Sequence, residues 1–207
     1  MRIIGDVHGH FSRYIEKTKD YQGKTFQVGD MGIGFPDGQT LHERPANHVF
    51  IRGNHDNPAE CKKHPNYAGD FGYWKEEKLF FMGGAYSIDI NYRLNYEKIH
   101  NKKIWWINEE LYQEDLDRAF RLYKLRDPKV VITHDCPETI GKIMLEKTVI
   151  GKADKIGTRT GQMLEKMFAY HQPEIWIFGH WHFDFDSVIN GTRFICLAEL
   201  NYIDLEI

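Results

Sequence analysis

The sequence predicts an α/β fold, and three observations point to it. Runs rich in β-branched and aromatic residues alternate with segments of helical spacing. The first three strand-like runs each end in a glycine-bearing loop with a carboxylate or amide, where open α/β sheets place their ligands. The 207 residues, 42% hydrophobic and 28% charged, suit one ordinary domain that buries a core without disulfides or structural metals.

Arg2–Ile4 reads as a strand running into Gly5-Asp6-Val7-His8-Gly9. Phe11, Tyr14, Ile15 and Thr18 then keep helical spacing over Phe11–Lys19, with Ser12 as a cap. Lys24–Val28 is a second strand ending at Gly29-Asp30, and Asn47–Ile51 a third ending at Gly53-Asn54-His55-Asp56. Asn57–Gly72 reads as a loop, followed by strands Lys78–Met82 and Ala85–Ile90 joined at Gly83-Gly84. Asn91–Ile107 is expected to be an excursion beside the sheet. Asn108 caps a helix from Glu109 to about Leu125, acidic at its start and basic at its end. After Pro128, Lys129–Thr133 is a buried strand ending at His134-Asp135. A helix over Thr160–Tyr170 is closed by Pro173, and strand Glu174–Phe178 ends at Gly179-His180-Trp181-His182. Asp184–Ile189, Arg193–Leu197 and Tyr202–Leu205 read as hairpin-like strands around Asn190-Gly191. No linker or repeat divides residues 1–207, so a single domain is expected.

Composition excludes several classes. Lys+Arg 27 against Asp+Glu 30 gives −3, which offers no general pull toward nucleic acid and makes long duplex a poor substrate. Apolar stretches such as Ile175–Phe178 are far too short to span a bilayer, and no charged-then-apolar leader precedes Arg2. Cys61, Cys136 and Cys196 form no C-x-x-C pair and leave one over, against a disulfide framework or zinc ribbon. A cytoplasmic protein is the expectation. Nothing in the sequence sets the oligomeric state.

The chemistry lies in residues collected at strand ends: Asp6, His8, Asp30, Asn54, His55, His134, His180 and His182. Mixed carboxylate, amide and imidazole donors suit a borderline divalent ion such as manganese, iron or zinc. All but His55 could surround two ions if Asp30 bridges them, leaving His55 for proton transfer. Paired ions are a recognised device for phosphate-ester hydrolysis.

In that order, Gly5-Asp6-Val7-His8-Gly9, Gly29-Asp30, Gly53-Asn54-His55-Asp56, Thr133-His134 and Gly179-His180-Trp181-His182 resemble the five blocks of calcineurin-like metallophosphoesterases. The similarity extends to Gly83-Gly84-Ala85-Tyr86-Ser87-Ile88-Asp89, Trp105-Trp106 and Thr158-Arg159, as in small bacterial and phage members. The resemblance implies a four-layer α-β-β-α sandwich of two mixed sheets, with a dimetal site at the strand carboxyl ends. It implies Asp6, His8 and His182 on one ion, Asn54, His134 and His180 on the other, and Asp30 between them. Manganese comes first, with iron, zinc or nickel as alternatives. A hydroxide held between the ions would attack the phosphoester, and His55, oriented by Asp56, would protonate the leaving group.

Two departures set this chain apart. Protein phosphatases of the superfamily follow the bridging Asp with Asp-Arg-Gly, whose arginine grips phosphate, whereas Asp30 precedes Met31-Gly32-Ile33-Gly34-Phe35. Their third block ends in Glu, and this one ends in Asp56, although Arg52 matches that branch. Arg93 and Arg159 are the candidates to replace the missing arginine. The expected substrate is a small phosphorylated molecule: a monoester, a diester or a nucleotide. A phosphoprotein phosphatase and a non-catalytic scaffold are the competing readings. Tyr86, Trp105 and Trp106 serve either base stacking or packing, and His10, His42, His48, His64, His100 and His171 read as surface or capping residues.

Overall fold

Two β-sheets packed face to face organise the chain in the structure, a computed structural model that describes residues 1–35, 40–147 and 157–206. The first sheet is built from β1 (Arg2–Ile4), β2 (Thr25–Gln27), β3 (His48–Phe50) and β10 (Tyr202–Asp204). Their order is β10-β1-β2-β3, parallel except for β10. The second holds β4 (Phe71–Trp74), β5 (Leu79–Met82), β6 (Val130–Thr133), β7 (Ile175–Phe178), β8 (Phe185–Ile189) and β9 (Thr192–Cys196). Its order is β4-β5-β6-β7-β9-β8, with the four central strands parallel and both edge strands antiparallel.

Alternation along the strands sorts side chains into layers. Ile3 and Phe26 of the first sheet meet Leu79, Phe81, Val130, Ile132, Ile177 and Ile195 of the second in the central core. The intervening residues Phe80, Met82, Val131, Trp176 and Phe178 face the other way, toward helices. These helices are α4 (Gln113–Arg126), α5 (Glu138–Lys147) and α6 (Arg159–Tyr170). They contribute Leu116, Ala119, Tyr123, Ile140, Met144, Leu164 and Met167 to that core. On the opposite side α1 (Phe11–Thr18) and α2 (Pro58–Cys61) cover the first sheet through Phe11, Tyr14 and Cys61, packed on Ile4 and Phe50. The result is the four-layer α-β-β-α sandwich. Strands covered on both faces explain the near-continuous apolar runs that the sequence displays.

Several elements differ from the sequence expectation. Within Asn91–Ile107, where no element was specified, α3 (Ile90–His100) occupies most of the segment, with Arg93 its one buried residue. Ala85–Ile90 is no strand, and β4, α2 and α5 arise where no element was expected. Glu109 and Glu110 precede α4, whose N-cap is Tyr112, because both buried carboxylates are taken by remote donors. The N-cap of α1 is His10, not Ser12. The hairpin at Asn190-Gly191, both at positive φ, joins only β8 and β9. β10 instead crosses to pair with β1, where Arg2 grips Asp204 at 2.9 and 2.8 Å. Among the described residues, no helix is long and apolar enough to cross a membrane.

Candidate metal centre

The loops after β1, β2, β3, β6 and β7 converge at the strand carboxyl ends, because parallel strands all point the same way. Two groups of donor atoms form there, Asp6, His8, Asp30 and His182 in one and Asp30, His134 and His180 in the other. Within each group the donors lie within 4.8 Å of one another, and Asp30 belongs to both. His8 Nε2 and His182 Nε2 face each other at 3.2 Å, and His182 Nε2 lies 3.5 Å from Asp6 Oδ2. His134 Nε2 is 3.2 Å from both Asp30 Oδ1 and Asn54 Oδ1. Its Nδ1 donates to the Val28 carbonyl at 3.0 Å, a bond that leaves the Nε2 lone pair for a ligand.

The motif glycines follow from this crowding. A Cβ on Gly53 would stand 2.1 Å from Asp30 Oδ1 and 2.4 Å from His134 Nε2; one on Gly179 would stand 2.1 Å from Asp6 Oδ1. The backbone is bent to the same end. His8, Asp30, His180 and His182 all have positive φ (47°, 56°, 68° and 57°). Such conformations cost roughly 1–3 kcal/mol each and persist only where the surroundings over-determine them.

Electrostatics show what the residues lack. Asp6, Asp30 and Asp56 are fully buried, and the ion pairs described at Asp6 and Asp30 come from histidines alone. Burial pushes the Asp6 carboxyl up to about 8, against the pull of His134. Burial opposes ionisation of Asp30 too, but His134, His55 and His8 together hold that carboxyl below its usual range. Burial would likewise pull His134 down, yet Asp30 and Asp6 raise it to about 10. Desolvation lowers His180 to about 4 and also lowers His8. Asp30 Oδ2 is buried without a hydrogen-bond partner among the described residues. Buried carboxylates are normally paired or bound to metal, so these donors fit divalent cations.

Around the donors, Asp56 departs from expectation. Its oxygens accept from the backbone N–H groups of Met31, Gly32, Ile33 and Gly53 at 2.7–3.2 Å, so it ties two loops together and does not orient the His55 imidazole. The partner of His55 Nε2 is Arg93, whose guanidinium also donates to the Asn54 carbonyl (3.1 Å) and to Asp89 (2.8 Å). Burial, reinforced by Arg93, lowers His55 to about 4 despite Asp30. Phe35 stacks on His55 at 5.6 Å and meets Trp106 edge-on at 5.3 Å. Trp106 is buried and therefore packs. Arg159 lies 3.8 Å from Glu110, and none of its described contacts reaches the cluster. Arg52 is consumed internally, by Asp70 and the carbonyls of Asn108 and Glu109. His48 is not at the surface: it is buried against Thr25.

The sequence profile of calcineurin-like phosphoesterases matches residues 2–184. The chain belongs to that family, which binds a dimetal centre. No curated protein is found to match it. Solved structures to which the chain is similar include GAP50, the anchor in the inner membrane complex of Plasmodium, at 13% identity and TM-score 0.45, covering 96% of this chain and 71% of that one. Another is the phosphopantetheinyl hydrolase PptH from Mycobacterium tuberculosis, at 12% identity and TM-score 0.44, covering 95% of this chain and 89% of that one.

Proposed function

We propose that the chain hydrolyses the phosphoester of a small phosphorylated molecule, nucleotides included, in the cytoplasm. One ion would be held by Asp6, His8 and His182, the other by Asn54, His134 and His180, with Asp30 shared. The observation that carries this reading is the shared, buried Asp30, whose Oδ2 has no hydrogen-bond partner among the described residues. When bound, two divalent ions (manganese foremost) would supply an activated water and neutralise charge on the phosphoryl oxygens.

The chain's own residues do the rest. A guanidinium has only donors, so Arg93 against His55 Nε2 requires a lone pair on that nitrogen. An entering phosphate would accept from Arg93 instead, freeing Nε2 to take up a proton from solvent, which His55 then gives to the departing oxygen. Arg93 thereby takes the place of the arginine missing after Asp30. Arg52, the match to protein phosphatases, is engaged elsewhere and lends no support to a phosphoprotein substrate.

The test is a substrate panel in manganese, with an aryl monoester, a bis-aryl diester and several nucleotides, alongside metal analysis. Metal-dependent turnover of at least one is expected. Two bound ions with no turnover of any would favour a scaffold; faster turnover of phosphopeptides would favour a protein phosphatase.

A further inference from the structure

We propose that Ser87 and Glu109 are positioning residues that decide which end of the Asn54 amide faces the second donor group. The inference rests on the dimetal reading above. An amide side chain has a donor end and an acceptor end of nearly equal size, so packing cannot choose between them. Only the oxygen can ligate a cation, and an NH₂ in its place would repel one. Hydrogen bonding must make the choice.

A one-way chain of bonds does so. Asn54 Nδ2 donates to Ser87 Oγ at 3.1 Å, which leaves Asn54 Oδ1 beside His134 Nε2 at 3.2 Å. Ser87 Oγ in turn donates to Glu109 Oε2 at 2.5 Å, and Ser87 N donates to Oε1 at 2.8 Å. A hydroxyl has one hydrogen. With Glu109 accepting it, Ser87 offers Asn54 only lone pairs, and the amide must present its N–H. Asn54, Ser87 and Glu109 are 3%, 1% and 3% exposed, so solvent does not stand in for any of them.

The local sequence is built to hold this contact. Gly83 and Gly84 press against neighbouring backbone, since a Cβ on either would stand 2.7 Å from the carbonyl of Arg52 or Glu109 respectively. Arg52 also donates to the Glu109 carbonyl at 2.6 Å. Ser87 and Asp89 leave the same short segment, one toward Asn54 and the other toward Arg93. The Gly83–Asp89 motif, which supplies no donor to either group, thus steadies two residues of the site.

Glu109→Gln tests the relay with almost no change of shape. Ser87 N–H can only donate, so it keeps the Gln oxygen, and the Gln NH₂ donates to Ser87 Oγ. The hydroxyl hydrogen then turns to Asn54, which answers with Oδ1 and swings Nδ2 toward the ion. Manganese affinity of the full chain, measured by chelator competition, should fall about 10–100-fold for one ion and stay unchanged for the other. In an Asn54→Asp background both ends of residue 54 are oxygens, so Glu109→Gln should cost nothing further. Ser87→Ala, should Glu109→Gln misfold, must show the same dependence on background. Wild-type affinity for both ions in Glu109→Gln would overturn the relay alone, as would an equal loss in the Asn54→Asp background. Wild-type protein that binds fewer than two ions would overturn the dimetal reading and the relay with it.

Discussion

Arg93→Ala removes the guanidinium that stands against His55. The side chain is 2% exposed, and its contacts with the Asn54 and Ile104 carbonyls and with Asp89 hold it in one position. A fixed, desolvated guanidinium meeting a phosphoryl oxygen is worth about 2–4 kcal/mol of transition-state binding. At 1.36 kcal/mol per tenfold, kcat/KM should fall about 30- to 900-fold. The Asn54 carbonyl loses a buried donor, which costs about 1–3 kcal/mol of stability, so Tm should drop without abolishing the fold. His55, held near 4 by burial and then by Arg93, should titrate higher in metal-free Arg93→Ala, as histidine NMR would record. Arg93→Lys keeps a charge but not the fork and should recover only part of the loss. Arg159→Ala should stay near wild type, since Arg159 is 39% exposed and paired with Glu110. The assay is kcat/KM on aryl and alkyl phosphates with metal content measured in parallel. Unchanged kcat/KM in Arg93→Ala at full metal content would refute the reasoning.

His55→Ala should spare p-nitrophenyl esters, whose leaving group departs as a stable anion, and slow alkyl phosphates about 10²–10⁴-fold with both ions retained; equal losses on both would remove its proton-donor role. Metal uptake should release protons at neutral pH, because His134 (raised to about 10) and Asp6 (about 8) hold protons in the metal-free protein that ligands must give up. Affinity therefore weakens as pH falls, and titration heats in two buffers of different ionisation enthalpy should differ; identical heats would contradict this. Gly53→Ala forces Asp30 and His134 to part from the new methyl, which would otherwise stand 2.1 and 2.4 Å away. A displacement of about 1 Å at the chemistry costs about 10²-fold, so kcat should fall by that order, and unaltered turnover and metal content would disprove the crowding argument.

The candidate donor cluster was legible because metal chemistry admits few residue types and the fold delivers them at strand ends beside glycine. α3 was not, because it reverses the usual pattern: Arg93 points in while Tyr92, Leu94 and Ile99 are exposed, so its periodicity suggests no helix. Glu109 and Glu110 looked like an acidic first turn, and their partners Ser87 and Thr160 lie 22 and 50 residues away, where no local pattern reaches. Other elements left signals that could have been read. Asn57-Pro58 is a cap followed by Pro at the first helical position of α2. Ile140 and Met144 keep one-turn spacing after Pro137, where α5 forms. Asp56 misled because adjacency to His55 suggests contact, whereas neighbouring residues in a loop diverge, and its oxygens went to four amides.

Elemental analysis of wild-type protein and Asp30→Asn tests the central claim most directly. Both donor groups use the Asp30 carboxylate, and the amide removes its charge while keeping its shape. Wild type should hold two divalent ions per chain, and Asp30→Asn one or none, with activity lost by orders of magnitude. Two tightly bound ions in Asp30→Asn would contradict a centre built on that residue.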